Sequence, residues 1–447
     1  MKTTVITSAM SVVLLTAVSC SQTETDFNSV DANTPVSLGV SATMKGSAQS
    51  KAITRSVVDG TKITYDANKY ADAYANPGIG VVLTNKEANG WYGNTTSGYG
   101  GNHIWYIADE NGDGWKSILK DAKGSSYSDA PVVPYFMTAE VGQVYAYYPY
   151  DKDFAATGAV PAALQLKAPL LATSSTAAEI TIDAATSNAK KVWGGSSWDN
   201  NTTDKLNLSL SAPNDKDYMY FDGTDGRYVN NGRAAGQPPI LPADPGDNTS
   251  DVNPGYKIDL AMKHALSMVS FRVYDGGNLS SNQVTLTKFV IKNVAGKDNF
   301  KVSGKQMALA DGAISNISGE PTAGELVRNV TNYTLMRQIQ PGGESESATA
   351  FIAAAGVNAQ TVTKSVSAIV YPQTFTTDEI QVVVTLDSQD QGISGDYPAI
   401  LTVPNDGGWE AGKNYIYTLS AGRNRLTVVG VSVTDWTDEE VTGEIPL

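Results

Sequence analysis

The chain has 447 residues, 41% of them hydrophobic and 17% charged, enough apolar material for two or three domains, each with its own core. Lys and Arg total 32 against 46 Asp and Glu, a net charge of −14, and without a basic cluster this excludes a nucleic-acid partner, because phosphate binding needs grouped cations. One cysteine, Cys20, excludes an intramolecular disulfide.

In chain order, residues 1–19 carry one early positive charge (Lys2), an apolar stretch over 5–18 and the small residue Ser19. This is the layout of a secretory signal, too short for a permanent bilayer-spanning helix. Ala17-Val18-Ser19-Cys20 resembles a bacterial lipobox, so 1–19 is expected to be a lipoprotein signal peptide and Cys20 the acylated mature N-terminus. An ordinary signal with an incidental cysteine is the alternative. Glu24 and Asp26 resemble acidic flags that send such lipoproteins to the cell surface. Residues 20–34 are polar and read as a tether. The chain then alternates strictly, with Val36, Leu38, Val40, Ala42 and Met44 on one face and Ser37, Gly39, Ser41 and Thr43 on the other. Period-two patterning predicts a half-buried strand. A small-residue segment over 45–51 leads into Ala52-Ile53-Thr54-Arg55-Ser56.

Beyond this, short β-rich runs alternate with turns. Strands are predicted over 79–83, 143–148, 205–210, 267–274, 284–294, 365–371, 380–386 and 414–419, with loops over 94–102, 109–114 and 199–203. Residues 232–255 are dense in Pro, Gly and Asp and mark an interdomain connection or a long exposed loop. The tail holds two further alternating runs, 426–433 with Val429, Val431 and Val433, and 440–447 with Val441, Gly443, Ile445 and Leu447. Many short strands and no sustained helical stripe predict an all-β fold of sandwiches or barrels.

No chemistry stands out. His103 and His264 have no His or Cys companion at ligand spacing, so neither builds a zinc site; His264 reads as a structural hydrogen-bonding residue. No Walker loop, nucleophile elbow or dinucleotide fingerprint occurs. Asp109, Asn111 and Asp113 precede Gly114 as in a calcium loop, but Lys120 stands where the bidentate Glu belongs, so a solvated turn is expected. Trp91, Trp105 and Trp115 could form a glycan platform, although aromatics of a sandwich more often fill its core. No metal or cofactor is expected, and nothing supports an enzyme.

The order of these features resembles the fimbrillin family, Mfa-like lipoprotein pilin precursors of Bacteroidales bacteria. After the lipobox, the first strand and Thr54-Arg55-Ser56 come Ile79-Gly80-Val81-Val82, Val144-Tyr145-Ala146-Tyr147-Tyr148-Pro149-Tyr150 and Asp217-Tyr218-Met219-Tyr220. Lys263-His264-Ala265-Leu266-Ser267-Met268-Val269-Ser270-Phe271 follows and is the most distinctive. Tyr371-Pro372-Gln373, Ala411-Gly412-Lys413-Asn414-Tyr415 and Val431-Ser432-Val433-Thr434-Asp435-Trp436 close the series.

The resemblance implies two transthyretin-like β-sandwich domains in tandem, over 56–255 and 256–447, behind a 20–55 tether and removable strand. It implies a subunit of a surface pilus (fimbria), lipid-anchored in the outer membrane and supporting adhesion. An Arg-specific, trypsin-like protease would cut between Arg55 and Ser56, releasing the strand that bears Val36, Leu38, Val40, Ala42 and Met44. A strand from another pilin subunit would fill the vacated groove, with the candidate donors carrying Val429, Val431 and Val433 or Val441, Ile445 and Leu447. Completion of the chain's own sheet is the alternative use of those runs. Burying Val36, Leu38 and Val40 stabilises by about 1.5–3 kcal/mol each, an upper figure against an extended chain. That compares with the roughly 5–15 kcal/mol stability of a whole domain. The reading from a different class is a monomeric glycan-binding surface lipoprotein that keeps its first strand.

Overall fold

A computed structural model describes residues 36–44, 78–92, 103–108, 115–118, 136–151, 163–165, 180–183, 189–191, 208–210, 217–232, 248–252, 254–275, 284–317, 319, 321–335, 365–388, 394–404, 407–423 and 425–435. The fold is all-β; the one helical element among the described residues is a single 3₁₀ turn at Gly223–Asp225.

Two sheets enclose the largest core. One is six-stranded, in the order Ala189–Lys191, Leu208–Leu210, Ser365–Val370, Ser267–Asp275, Lys413–Ala421 and Leu426–Asp435. The other is five-stranded, in the order Gly395–Ile400, Ile380–Ser388, Val284–Asn293, Glu325–Thr334 and Ile180–Asp183. Alternate residues of the facing strands meet between them: Val269, Phe271 and Val273 from one, Phe289, Ile291, Val382 and Val384 from the other. Phe271 lies 4.4 Å from Phe289 and 5.4 Å from Tyr417 between ring centroids. Trp409 closes this core, donating its indole N–H to the Tyr417 hydroxyl at 3.1 Å. That hydroxyl is held in a dry setting, and burial pushes its ionisation well above the ordinary tyrosine range.

A third sheet, eight-stranded, runs in the order Gly39–Met44, Lys257–His264, Met219–Phe221, Gly142–Tyr148, Ile79–Asn85, His103–Ala108 and Trp115–Ile118, with Tyr228–Val229 paired to Gly142–Tyr148. Its core gathers Ile79, Val81, Leu83, Val144, Ala146, Phe221, Leu260 and Met262. Gly80 is needed where the Tyr147 ring passes over the neighbouring strand, since a Cβ there would lie 2.5 Å from the ring.

Sequence order does not follow sheet membership. Strand Lys257–His264 belongs to the eight-stranded sheet, while the strands at Ile180–Asp183, Ala189–Lys191 and Leu208–Leu210 join the sheets of the later residues. The chain passes from one sheet to the other at Ala265 and Leu266, both buried. Around them lies a third apolar cluster of Val82, Tyr147 and Tyr218 with Met268, Met307 and Ile369, so the two larger cores are joined by packed side chains.

Candidate functional site: an edge strand and its seat

The strand Gly39–Met44 lies at one end of the eight-stranded sheet and pairs parallel with Lys257–His264, in register from Lys257↔Gly39 to Met262↔Met44. Its seat is predisposed to receive it. In Lys257–His264 the buried residues Ile258, Leu260 and Met262 alternate with Lys257, Asp259 and Ala261, a half-buried face of the kind that fixes register.

On the strand itself Leu38 is 3% exposed and Ala42 fully buried, while Val40 is half-buried against the same core. Ser41 points outward and donates its hydroxyl to Asp259 Oδ1 at 3.0 Å. The Gly39 N–H donates to the Tyr256 carbonyl at 2.8 Å. Just before it, Val36–Ser37 pairs antiparallel with Phe136–Met137, Val36 opposite Met137. Regular pairing is broken only at Leu38, whose side chain enters the core beside Met137.

Among the described residues, an edge strand on an apolar seat is an arrangement suited to strand addition. Without Gly39–Met44, the outer backbone groups of Lys257–His264 would have no ladder partner, and the places of Leu38 and Ala42 would open to water. Both conditions favour capture of another extended segment.

The seat is braced from its far side by a buried pair that sequence reasoning placed only in part. His264 Nδ1 lies 3.0 Å from Asp217 Oδ1, and both side chains are almost wholly enclosed. The pair spans adjacent strands, because Met219 is the cross-strand partner of His264 and Tyr220 that of Lys263. Lys263 Nζ reaches Asp222 Oδ2 at 2.7 Å at the sheet surface. The motifs Asp217-Tyr218-Met219-Tyr220 and Lys263-His264-Ala265-Leu266, distant in sequence, thus form one structural unit, and His264 has the hydrogen-bonding role expected of it.

The tail run behaves differently from the first strand. Leu426–Asp435 pairs antiparallel with Lys413–Ala421 at the edge of the six-stranded sheet. Val429 is the extra residue of a bulge, since Gly430 faces Thr418 and Val428 faces Leu419. Val428 and Val431 pack against the core, whereas Val433 is 39% exposed opposite Tyr415. Here the run completes the chain's own sheet. Cys20, Arg55, Ser56, Val441, Ile445, Leu447 and the 109–114 turn lie outside the described residues. Of the three tryptophans considered as a platform, Trp91 packs against the joining cluster. Trp105 and Trp115 fall on adjacent paired strands, opposite Ile118 and Ala108.

Residues 229–436 match the fimbrillin-like family. That match covers the part of the chain that holds the seat strand, the joint and the four strands of the six-stranded sheet from Ser267 onward. No curated protein matches. Among solved structures, a Bacteroides uniformis protein assigned to cell adhesion is 13% identical, covering 90% of this chain and 98% of its own, with a TM-score of 0.42. A fimbrial protein from Bacteroides vulgatus is 11% identical over 90% and 99%, TM-score 0.36. The tip fimbrial protein Mfa3 from Porphyromonas gingivalis, with a C-terminal truncation, is 10% identical over 80% and 94%, TM-score 0.30. The fimbrillin-like match ends at Trp436, beyond the edge strand Leu426–Asp435.

Proposed function

We propose that this chain is a structural subunit of a surface pilus, made as a lipid-anchored precursor and assembled by strand exchange. In this reading Cys20 carries the lipid that holds the precursor on the outer membrane. An Arg-specific, trypsin-like protease cuts after Arg55, and the strand bearing Leu38, Val40 and Ala42 leaves. The tail of another pilin subunit takes its place, and the polymer supports adhesion. The tandem sandwiches over 56–255 and 256–447 belong to the same reading, with the strand Lys257–His264 crossing into the first. The role is structural, with no cofactor and no reaction.

The single observation that carries the reading is the position of Gly39–Met44: a strand with buried apolar residues stands, among the described residues, at the edge of its sheet, paired there with Lys257–His264 alone. An edge strand can leave without unthreading the sheet. A central one could not. The fimbrillin-like match over 229–436 supports the same assignment.

The test is brief tryptic digestion of the precursor and of Arg55→Ala, read by N-terminal sequencing, SDS gels and electron microscopy. A new terminus at Ser56 with SDS-resistant ladders, both absent from the variant, is the expected result. Wild-type chain that is cut at Ser56 and stays monomeric would overturn the reading.

A further inference from the structure

We infer that the outer face of the eight-stranded sheet, at the end where Arg227 lies over Tyr145, binds a carboxylate-bearing saccharide. Arg227 takes the acid group, and Trp91 takes the apolar face of a neighbouring sugar. The inference rests on the adhesive part of the reading above and adds a ligand class to it. It needs nothing from the assembly step, because one copy holds every residue of the site.

Strand alternation builds the surface. Leu83, Val144 and Val229 enter the core of the sheet, so Thr84, Gln143 and Tyr228 point the other way. These stand in one cross-strand row, Thr84 opposite Gln143 and Gln143 opposite Tyr228, and Trp91 extends it as the bridge partner of Thr84. Successive strand spacings set Trp91 and Tyr228 about 14 Å apart at the backbone. Thr84 is enclosed, while Trp91, Gln143 and Tyr228 are half-buried, so the row carries an aromatic residue at each end and an amide between them. Gln143 is fixed in place: it donates to the Lys86 carbonyl and accepts the Tyr145 hydroxyl at 3.1 Å.

Arg227 is the charged member. Its guanidinium lies 4.8 Å from the centre of the Tyr145 ring and donates from Nη2 to the Ala310 carbonyl at 3.0 Å. Gly223 makes room for it, since a Cβ there would stand 2.4 Å from Arg227 Nε. Held this way, the side chain has little rotamer freedom left to lose on binding. None of these contacts neutralises it. Among the described residues Arg227 has no ion pair, while Asp222 is taken by Lys263 and Asp251 by Lys86.

A fixed, half-buried guanidinium with N–H groups still to give suits a carboxylate in both shape and charge. In a chain of net charge −14, an isolated cation selects a single acid group rather than a polyanion. The aromatic ends of the row cover apolar C–H faces, and the amide between them bonds hydroxyls. That mixture suits a sugar. An acidic peptide would seek unpaired backbone, and Gly142–Tyr148 already has ladder partners on both sides.

Isothermal titration of the uncut Cys20→Ser precursor tests the site. Sialyllactose and a galacturonic acid trimer are the acidic probes, lactose the neutral one, and tetraglutamate the peptide. An acidic saccharide should bind roughly tenfold or more tightly than lactose or the peptide, and which acid binds separates a sialylated from a uronic source. Arg227→Gln should lower that affinity by the same factor, and Trp91→Ala should weaken it as well. Gly223→Ala displaces the guanidinium and leaves the sheet intact, so it gives the same loss even where Arg227→Gln lowers thermal stability. Preference for lactose or the peptide would overturn the ligand class. Undiminished binding by Arg227→Gln and Gly223→Ala would overturn the site, and no binding of either acidic saccharide at millimolar concentration would overturn the inference outright. Polymer formation by digested protein of native sequence is scored in parallel, so failure here is distinguishable from failure of the pilus reading.

Discussion

Asp217 and His264 meet inside the molecule, 3.0 Å apart at Oδ1 and Nδ1. Their contact ties the end of the seat strand Lys257–His264 to the segment that leads into its neighbour Met219–Phe221. Removing one partner of an enclosed pair leaves the other buried and uncompensated, so His264→Ala should lower stability by roughly 3 kcal/mol or more. Urea denaturation of the precursor measures this, and a loss under 1 kcal/mol would show the pair to be dispensable. Tyr371 gives the opposite expectation. Its hydroxyl is buried with no hydrogen-bond partner among the described residues, and burial pushes its pKa from 10.0 up to about 12. Tyr371→Phe should therefore be neutral or mildly stabilising at pH 7. The sign with pH follows from the raised value. Above pH 10 the unfolded chain loses the phenolic proton while the folded chain keeps it, so stability present below pH 10 is lost up to about pH 12. Two pH units correspond to roughly 2–3 kcal/mol. Denaturation midpoints taken from pH 9 to 12 should fall, and fall less in Tyr371→Phe.

At the scale of elements, the first strand and its seat are joined by one apolar face and one hydrogen-bond ladder. Leu38→Ala removes most of a large buried side chain and should weaken the strand's hold by about 2–4 kcal/mol. The direct readout is faster amide exchange over Lys257–His264, with exchange in Lys413–Ala421 unchanged. The first strand itself was legible, because strict alternation over 36–44 fixes both its type and its buried face. So were the strands beginning at Ile79, Ser267, Val284 and Ile380, where branched and apolar runs lie between turn residues. The seat strand was equally open to reading in Ile258, Leu260 and Met262 but was overshadowed by the Pro- and Gly-rich segment before it. What no local pattern carries is that residues 39 and 257 pair, and pair in parallel. Register between strands more than 200 residues apart is decided by complementarity of whole faces.

For the whole molecule, the Lys263-His264-Ala265-Leu266-Ser267 motif proves to be the joint between sheets, which explains why its residues from His264 to Ser267 are buried. The sequence marked it as distinctive but could not show its use, because a joint is defined by what it connects. Packed side chains across this joint should make the two cores unfold together in calorimetry, and Leu266→Ala should separate the transitions. The central claim is that departure of the first strand licenses assembly. Ser41 and Asp259 are cross-strand partners within 3.0 Å through their side chains, so Ser41→Cys with Asp259→Cys, in a Cys20→Ser background, ties the strand to its seat. After cleavage behind Arg55, the oxidised protein should sediment as a monomer and polymerise once a reductant is added. Equal polymer formation by the oxidised and reduced forms would contradict the account.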